Sequence, residues 1–249
     1  MNRRRGFTLV ELLTVMAIIA ILAAVFLPVV RSVRGAAYQT LASRSIGQLG
    51  QAVNMYMADS DDMYPCAMYT YGDGLWQTWF GRMNPDGTID PTQGTLRPYV
   101  KGKLKDSTAQ GLPYLGDGSG FGYNWGYLGS DFNIRLDFSE FPNCLRPSVG
   151  SEVTNPARTV VFATSAYYYA PWTGGDGRTY DFGYVDPPRF WYDNPNVDFR
   201  HREPKIVEIE RKRVKPRGFA LFVFADGNVR ALTPERVNDA MFERVQAER

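Results

Sequence analysis

Three hydrophobic patterns succeed one another along this 249-residue chain. From Phe7 to Val30 the apolar positions are almost continuous: 24 residues contain one ionisable side chain, Glu11, and Leu12 to Val30 contain none. As a helix, such a run is long enough to cross about 30 Å of hydrocarbon. From Arg31 to Met57 the pattern becomes periodic. Val33, Ala37, Leu41, Ile46, Leu49, Val53 and Tyr56 recur three to four apart, with Gln39, Arg44, Gln48, Gln51 and Asn54 on the other side. This predicts an amphipathic helix whose apolar stripe packs on the chain's own globular domain. Joined, the two stretches make one helix of about 50 residues, roughly 75 Å long at the α-helical rise. Pro28 brings no amide hydrogen and predicts a bend or local melting. Asp59-Ser60-Asp61-Asp62, followed by Pro65, ends the helix.

Beyond it the pattern shortens. Residues 66–150 are rich in Gly, Pro, Tyr and Trp and predict short strands and loops packed by aromatics, with Gly122-Tyr123-Asn124-Trp125-Gly126-Tyr127-Leu128-Gly129 as an aromatic cluster with tight turns. Thr159 to Ala163 and Phe219 to Phe224 read as buried strands, Ile206 to Val214 as a half-exposed one. Asp226-Gly227 signals a hairpin into Val229 to Leu232, and Thr233-Pro234-Glu235 opens a short polar closing helix. Pro171 to Asn196, rich in Gly, Asp and Pro, reads as a long surface loop without a core of its own. The fold class is α+β: a long N-terminal transmembrane and amphipathic helix, then a mostly antiparallel β domain. The expected boundaries are 1–6, 7–30, 31–58 and 59–249.

Composition sharpens this little. At 44% hydrophobic and 14% aromatic the chain can build a sizeable core. Removing Arg3, Arg4 and Arg5 takes the formal charge from +2 to −1, so no global charge favours nucleic acid. Cys66 and Cys144 either pair in an exported chain or stay as separate buried thiols; neither has zinc-site spacing.

Glu11 calls for an explanation, because a charged carboxylate in a membrane is costly unless it is paired. A cut between Gly6 and Phe7 would create an α-amino group one helical turn from Glu11. It would also remove the arginine leader. A secretory signal peptide or a plain anchor explains neither Glu11 nor the abrupt end of the leader at Gly6. The segment Gly6-Phe7-Thr8-Leu9-Val10-Glu11-Leu12, with Pro28 beyond it, resembles the N-terminus of type IV prepilins and type II secretion pseudopilins. The resemblance implies cleavage after Gly6 and methylation of Phe7 by prepilin peptidase, a role for Glu11 and Pro28 in assembly, and partnership with other pilin subunits and an assembly platform in the cytoplasmic membrane. It implies no cofactor. Gly122-Tyr123-Asn124, Pro156 to Ala163 and Phe222 to Val229 also resemble a large group of bacterial pseudopilin-like proteins. In those, a histidine lies closer to the Asp-Gly than His201 does here.

Other candidate chemistry is sparse. His201, the single histidine, sits between Arg200 and Arg202, whose charges favour its neutral form. No GxSxG elbow, P-loop or HExxH occurs, so no catalytic or metal residue is assigned. Asp59 to Asp62 lacks the glycine and distal Glu of a calcium loop. Lys205, Arg211, Lys212, Arg213, Lys215 and Arg217 alternate with Glu203, Glu208 and Glu210, as on a charged edge strand. The function implied is a structural filament subunit. The alternative is a minor-pilin-type surface protein that binds DNA or glycan through the Pro171–Asn196 loop or the basic hairpin.

Overall fold

A computed structural model describes residues 9–70, 72–102, 105–106, 108–109, 112–115, 119–135, 146–202 and 208–245. The fold is α+β. Helix α1 runs Leu9–Asp59 and continues through Pro28, so the helix does not melt there. The chain divides into two units, Met1–Thr40 and Leu41–Arg249.

In the first unit the helix from Leu9 to Leu27 is exposed throughout. In the second, burial starts at Ala42, later than the periodicity suggested: Val33, Ala37 and Leu41 are exposed. The buried face is Ala42, Ile46, Leu49 and Val53, one consistent phase of a 3.6-residue turn, and Leu41 lies a full 100° step from it. Gly47 and Gly50 share this side. A Cβ at Gly50 would come within 2.6 Å of Val223 Cγ2, so the glycine is what lets the helix approach the sheet.

Among the described residues the strands form four sheets. β1 (Met68–Thr70), β2 (Trp76–Thr78), β3 (Arg82–Met83) and β4 (Ile89–Asp90) make an antiparallel meander. β5 (Leu112–Leu115), β6 (Phe121–Asn124), β7 (Val160–Thr164), β8 (Tyr167–Tyr168), β9 (Thr179–Phe182) and β10 (Tyr184–Val185) follow. After them come β11 (Glu208–Glu210), β12 (Arg213–Lys215), β13 (Ala220–Phe224) and β14 (Val229–Leu232). The central sheet has the order β10-β6-β7-β13-β14, antiparallel except for β10 with β6.

The inner strands β6, β7 and β13 are buried on both faces, and β13 shows why its sequence lacks polar alternation. Leu221 and Val223 join the cluster around Ile46, Leu49 and Val53, while Ala220, Phe222 and Phe224 join Val185, Val197, Phe199, Val237 and Phe242. Successive residues enter opposite apolar layers, so every position is apolar.

Two expectations change. The stretch from Pro171 to Asn196 is not loop throughout: β9 and β10 lie within it, each pairing in parallel with a remote strand, β5 and β6. Their side chains are aromatic more than aliphatic, so composition alone read as loop. The chain ends in two short 3-10 turns, Pro234–Arg236 and Asp239–Met241, in place of a polar helix. They are held by buried Phe242 and by Asn124 Nδ2, which donates to the carbonyls of Phe242 (2.8 Å) and Val160 (2.9 Å).

Candidate membrane and processing site

Gly6 and Phe7 lie outside the described residues. The segment they open is described from Leu9. Leu9–Leu27 is 19 residues of apolar helix, long enough to cross a membrane, with none of it buried in the protein. Glu11 stands in its first turn, and Thr14 Oγ1 donates to the Glu11 carbonyl at 3.0 Å. Pro28 follows this span directly. Its missing amide hydrogen deprives the Ala24 carbonyl of its usual i+4 donor. An exposed face of this size needs an apolar surround other than water, either lipid or neighbouring helices.

The globular unit holds a polar site that sequence reasoning missed. Asp106, Arg200 and His201 are all buried. His201 Nε2 lies 3.3 Å from Asp106 Oδ2, Arg200 Nη1 3.8 Å from the same oxygen, and Arg200 Nε 2.8 Å from Asp198 Oδ2. Burial pushes the Asp106 carboxyl up, but the facing His201 ring, the Arg200 charge and the Thr108 hydroxyl outweigh it and hold the carboxyl below its ordinary range. His201 exchanges two backbone hydrogen bonds with Phe219, and its ring stacks on Phe219 at 5.4 Å. The local signal was faint: Asp106 Oδ1 accepts from the Thr108 amide and hydroxyl, the mark of an Asp-x-Thr turn. Nothing in the sequence linked that turn to Arg200. His201 therefore meets Asp106, while Asp226 caps a tight turn, accepting from the Asn228 amide at 3.0 Å.

The other sequence candidates separate. Cys66 donates its thiol to the Met68 carbonyl at 3.3 Å, and burial pushes its pKa up to about 11; Cys144 lies outside the described residues. Asp61 and Asp62 adopt left-handed conformations that end α1, and among the described residues no three His, Cys, Asp or Glu side chains gather as metal ligands. In the charged hairpin β11–β12, Lys215 pairs with Glu210, and Arg213 lies 3.3 Å from Asp193.

An apolar, unburied helix of membrane-spanning length, followed by an α+β domain, marks a membrane-anchored protein. More particularly, residues 1–27 match the family model of the prokaryotic N-terminal methylation motif. The match supports a type IV pilin-like or pseudopilin chain and a substrate of prepilin peptidase. No curated protein and no solved structure matches the chain.

Proposed function

We propose that the protein is a pilin-like structural subunit, cleaved by prepilin peptidase after Gly6, N-methylated at Phe7 and assembled into a type II secretion pseudopilus or a type IV pilus-like filament. The observation that carries this reading is the methylation motif on a helix whose spanning window is wholly unburied. The leader is 1–6, the membrane and filament-core helix 7–30, its amphipathic continuation 31–58 and the extracytoplasmic domain 59–249. The chain is a single-pass protein of the cytoplasmic membrane until an assembly platform extracts it.

Cleavage supplies a cation one helical turn from Glu11. The Phe7 amine, still charged after methylation, neutralises Glu11 of a neighbouring subunit, because opposite charges brought together in an apolar medium offset the desolvation of each. Pro28 lets the helix adapt as subunits pack. The DNA-binding alternative gains little support, since two of the hairpin's cations, Arg213 and Lys215, are paired with acids.

Mass spectrometry of the N-terminus, on protein from its native membrane, tests the processing step. The expected species begins at methylated Phe7; a start near Ala24, or an intact Met1, overturns the reading. Glu11→Ala is expected to insert in the membrane normally and to drop out of filaments, read as loss of subunit–subunit crosslinks. Undiminished crosslinking would refute the pairing of Glu11 with a neighbour's amine.

A further inference from the structure

We propose that one face of the β8–β9 hairpin is a binding platform for a neutral oligosaccharide chain, a role that goes beyond filament assembly and does not depend on it. β8 and β9 pair antiparallel, with Tyr167 opposite Tyr180. Side chains alternate across a strand, so Tyr167, Tyr169, Tyr180 and Phe182 share one face. Their rings touch in sequence: Phe182 to Tyr167 at 5.9 Å, Tyr167 to Tyr169 at 6.4 Å, and Tyr169 to Tyr180 at 6.4 Å. The inner end is anchored, since Phe182 meets the buried Tyr184 ring at 5.9 Å. The outer end faces solvent: Tyr169 is 41% exposed, and Tyr167, Tyr180 and Phe182 are partly exposed.

The geometry suits sugar faces. Aromatic rings carry negative potential over their faces, which attracts the weakly positive C–H groups of a pyranose. Neighbouring rings are inclined by 40° and 79°, giving a stepped surface that can follow the twist between successive sugar units. Polar groups stand at the rim. Tyr180 donates its hydroxyl to Asp176 Oδ2 at 2.6 Å, Asp176 Oδ1 accepts from the Arg178 amide at 3.0 Å, and the exposed Arg178 guanidinium lies 3.8 Å from Asp176. These groups offer donors and acceptors to hydroxyls at the end of the ring row.

Charge decides between sugar and nucleic acid. Single-stranded nucleic acids also stack on aromatic platforms, but they need a positive groove along the backbone. Here the rim carries one acid and one base paired with each other, so it has no net field for phosphate.

The test is calorimetric titration of the full chain, in a detergent without a sugar headgroup, with hexasaccharides of β-1,4-linked glucose and of N-acetylglucosamine. Saturable binding insensitive to salt is expected. Tyr169→Ala and Tyr180→Ala should each weaken it about tenfold, and Tyr169→Phe, which keeps the ring, should change it less than about twofold. Circular dichroism confirms that each variant is folded. No saturable binding of either hexasaccharide, or binding untouched by both alanine variants, overturns the proposal. So does binding confined to single-stranded oligonucleotides with steep salt dependence. Self-association of the chain that Tyr169→Ala abolishes would assign the face to a second copy and overturn it equally. Since N-terminal processing is read separately by mass spectrometry, failure here leaves the filament reading standing.

Discussion

Two stretches of one helix, Leu9–Leu27 and Ala42–Val53, both carry apolar side chains that meet opposite fates. In the first every residue is exposed; in the second Ala42, Ile46, Leu49, Ala52 and Val53 are at most 2% exposed. The difference lies in amount and in arrangement: 17 of the 19 residues are apolar in the first, against five of twelve in the second. An apolar surface running all round a helix cannot be satisfied by one packed face, so it calls for a surrounding apolar medium. A single stripe with glycines in it fits a sheet, and Gly50 against Val223 shows how close that fit is. The two notable carboxylates follow suit. Glu11 sits on the all-round apolar stretch, whereas Asp106 is enclosed by Arg200, His201 and Thr108.

The contrast can be broken by substitution, with all five tryptophans at positions 76 to 191 reporting on the globular unit. Ile46→Ala should lower its unfolding free energy by about 4 kcal/mol in chemical denaturation of the full chain in detergent, because the side chain is fully buried and leaves a cavity. Ile19→Ala, the same change on the exposed half, should stay within about 0.5 kcal/mol. Equal effects would erase the distinction between the two stretches.

Asp106→Asn should cost about 2 kcal/mol, since it removes one of the two carboxylates beside the buried Arg200 guanidinium and leaves only Asp198. Its pH signature has a definite sign. The folded-state carboxyl titrates below its ordinary value of 3.8, so its stabilisation is present above that value and is lost as the pH falls through the folded-state value. Denaturation midpoints across that range should fall less steeply for Asp106→Asn than for the parent chain. Buried Asp186 acts in the opposite sense: burial raises its carboxyl, so ionisation on raising the pH weighs against folding.

Gly50→Ala is a finer probe. Alanine favours helix by about 1 kcal/mol, but the clash with Val223 should reverse the sign and leave a net loss of about 1 kcal/mol in the same denaturation assay. Gly35→Ala, with nothing within 4 Å of the added Cβ, should show the helix gain alone, as a small rise in helical circular dichroism on heating.

Sequence by itself determined the long helix, its end near Asp59, the strands at Val160–Thr164, Ala220–Phe224 and Val229–Leu232, and the methylation motif. Each of these depends on neighbours a few residues apart: a continuous apolar run, an alternating or β-branched stretch, a turn dipeptide, a cleavage motif. The tertiary structure alone decided that burial on the helix begins at Ala42, that β9 and β10 find parallel partners, that Asp106 meets Arg200 and His201, and that four aromatic rings line one hairpin face. Those outcomes join residues tens of positions apart. Whether such groups meet depends on which chain path buries the most apolar surface while satisfying every buried polar group, a condition on the whole chain at once that no local pattern carries.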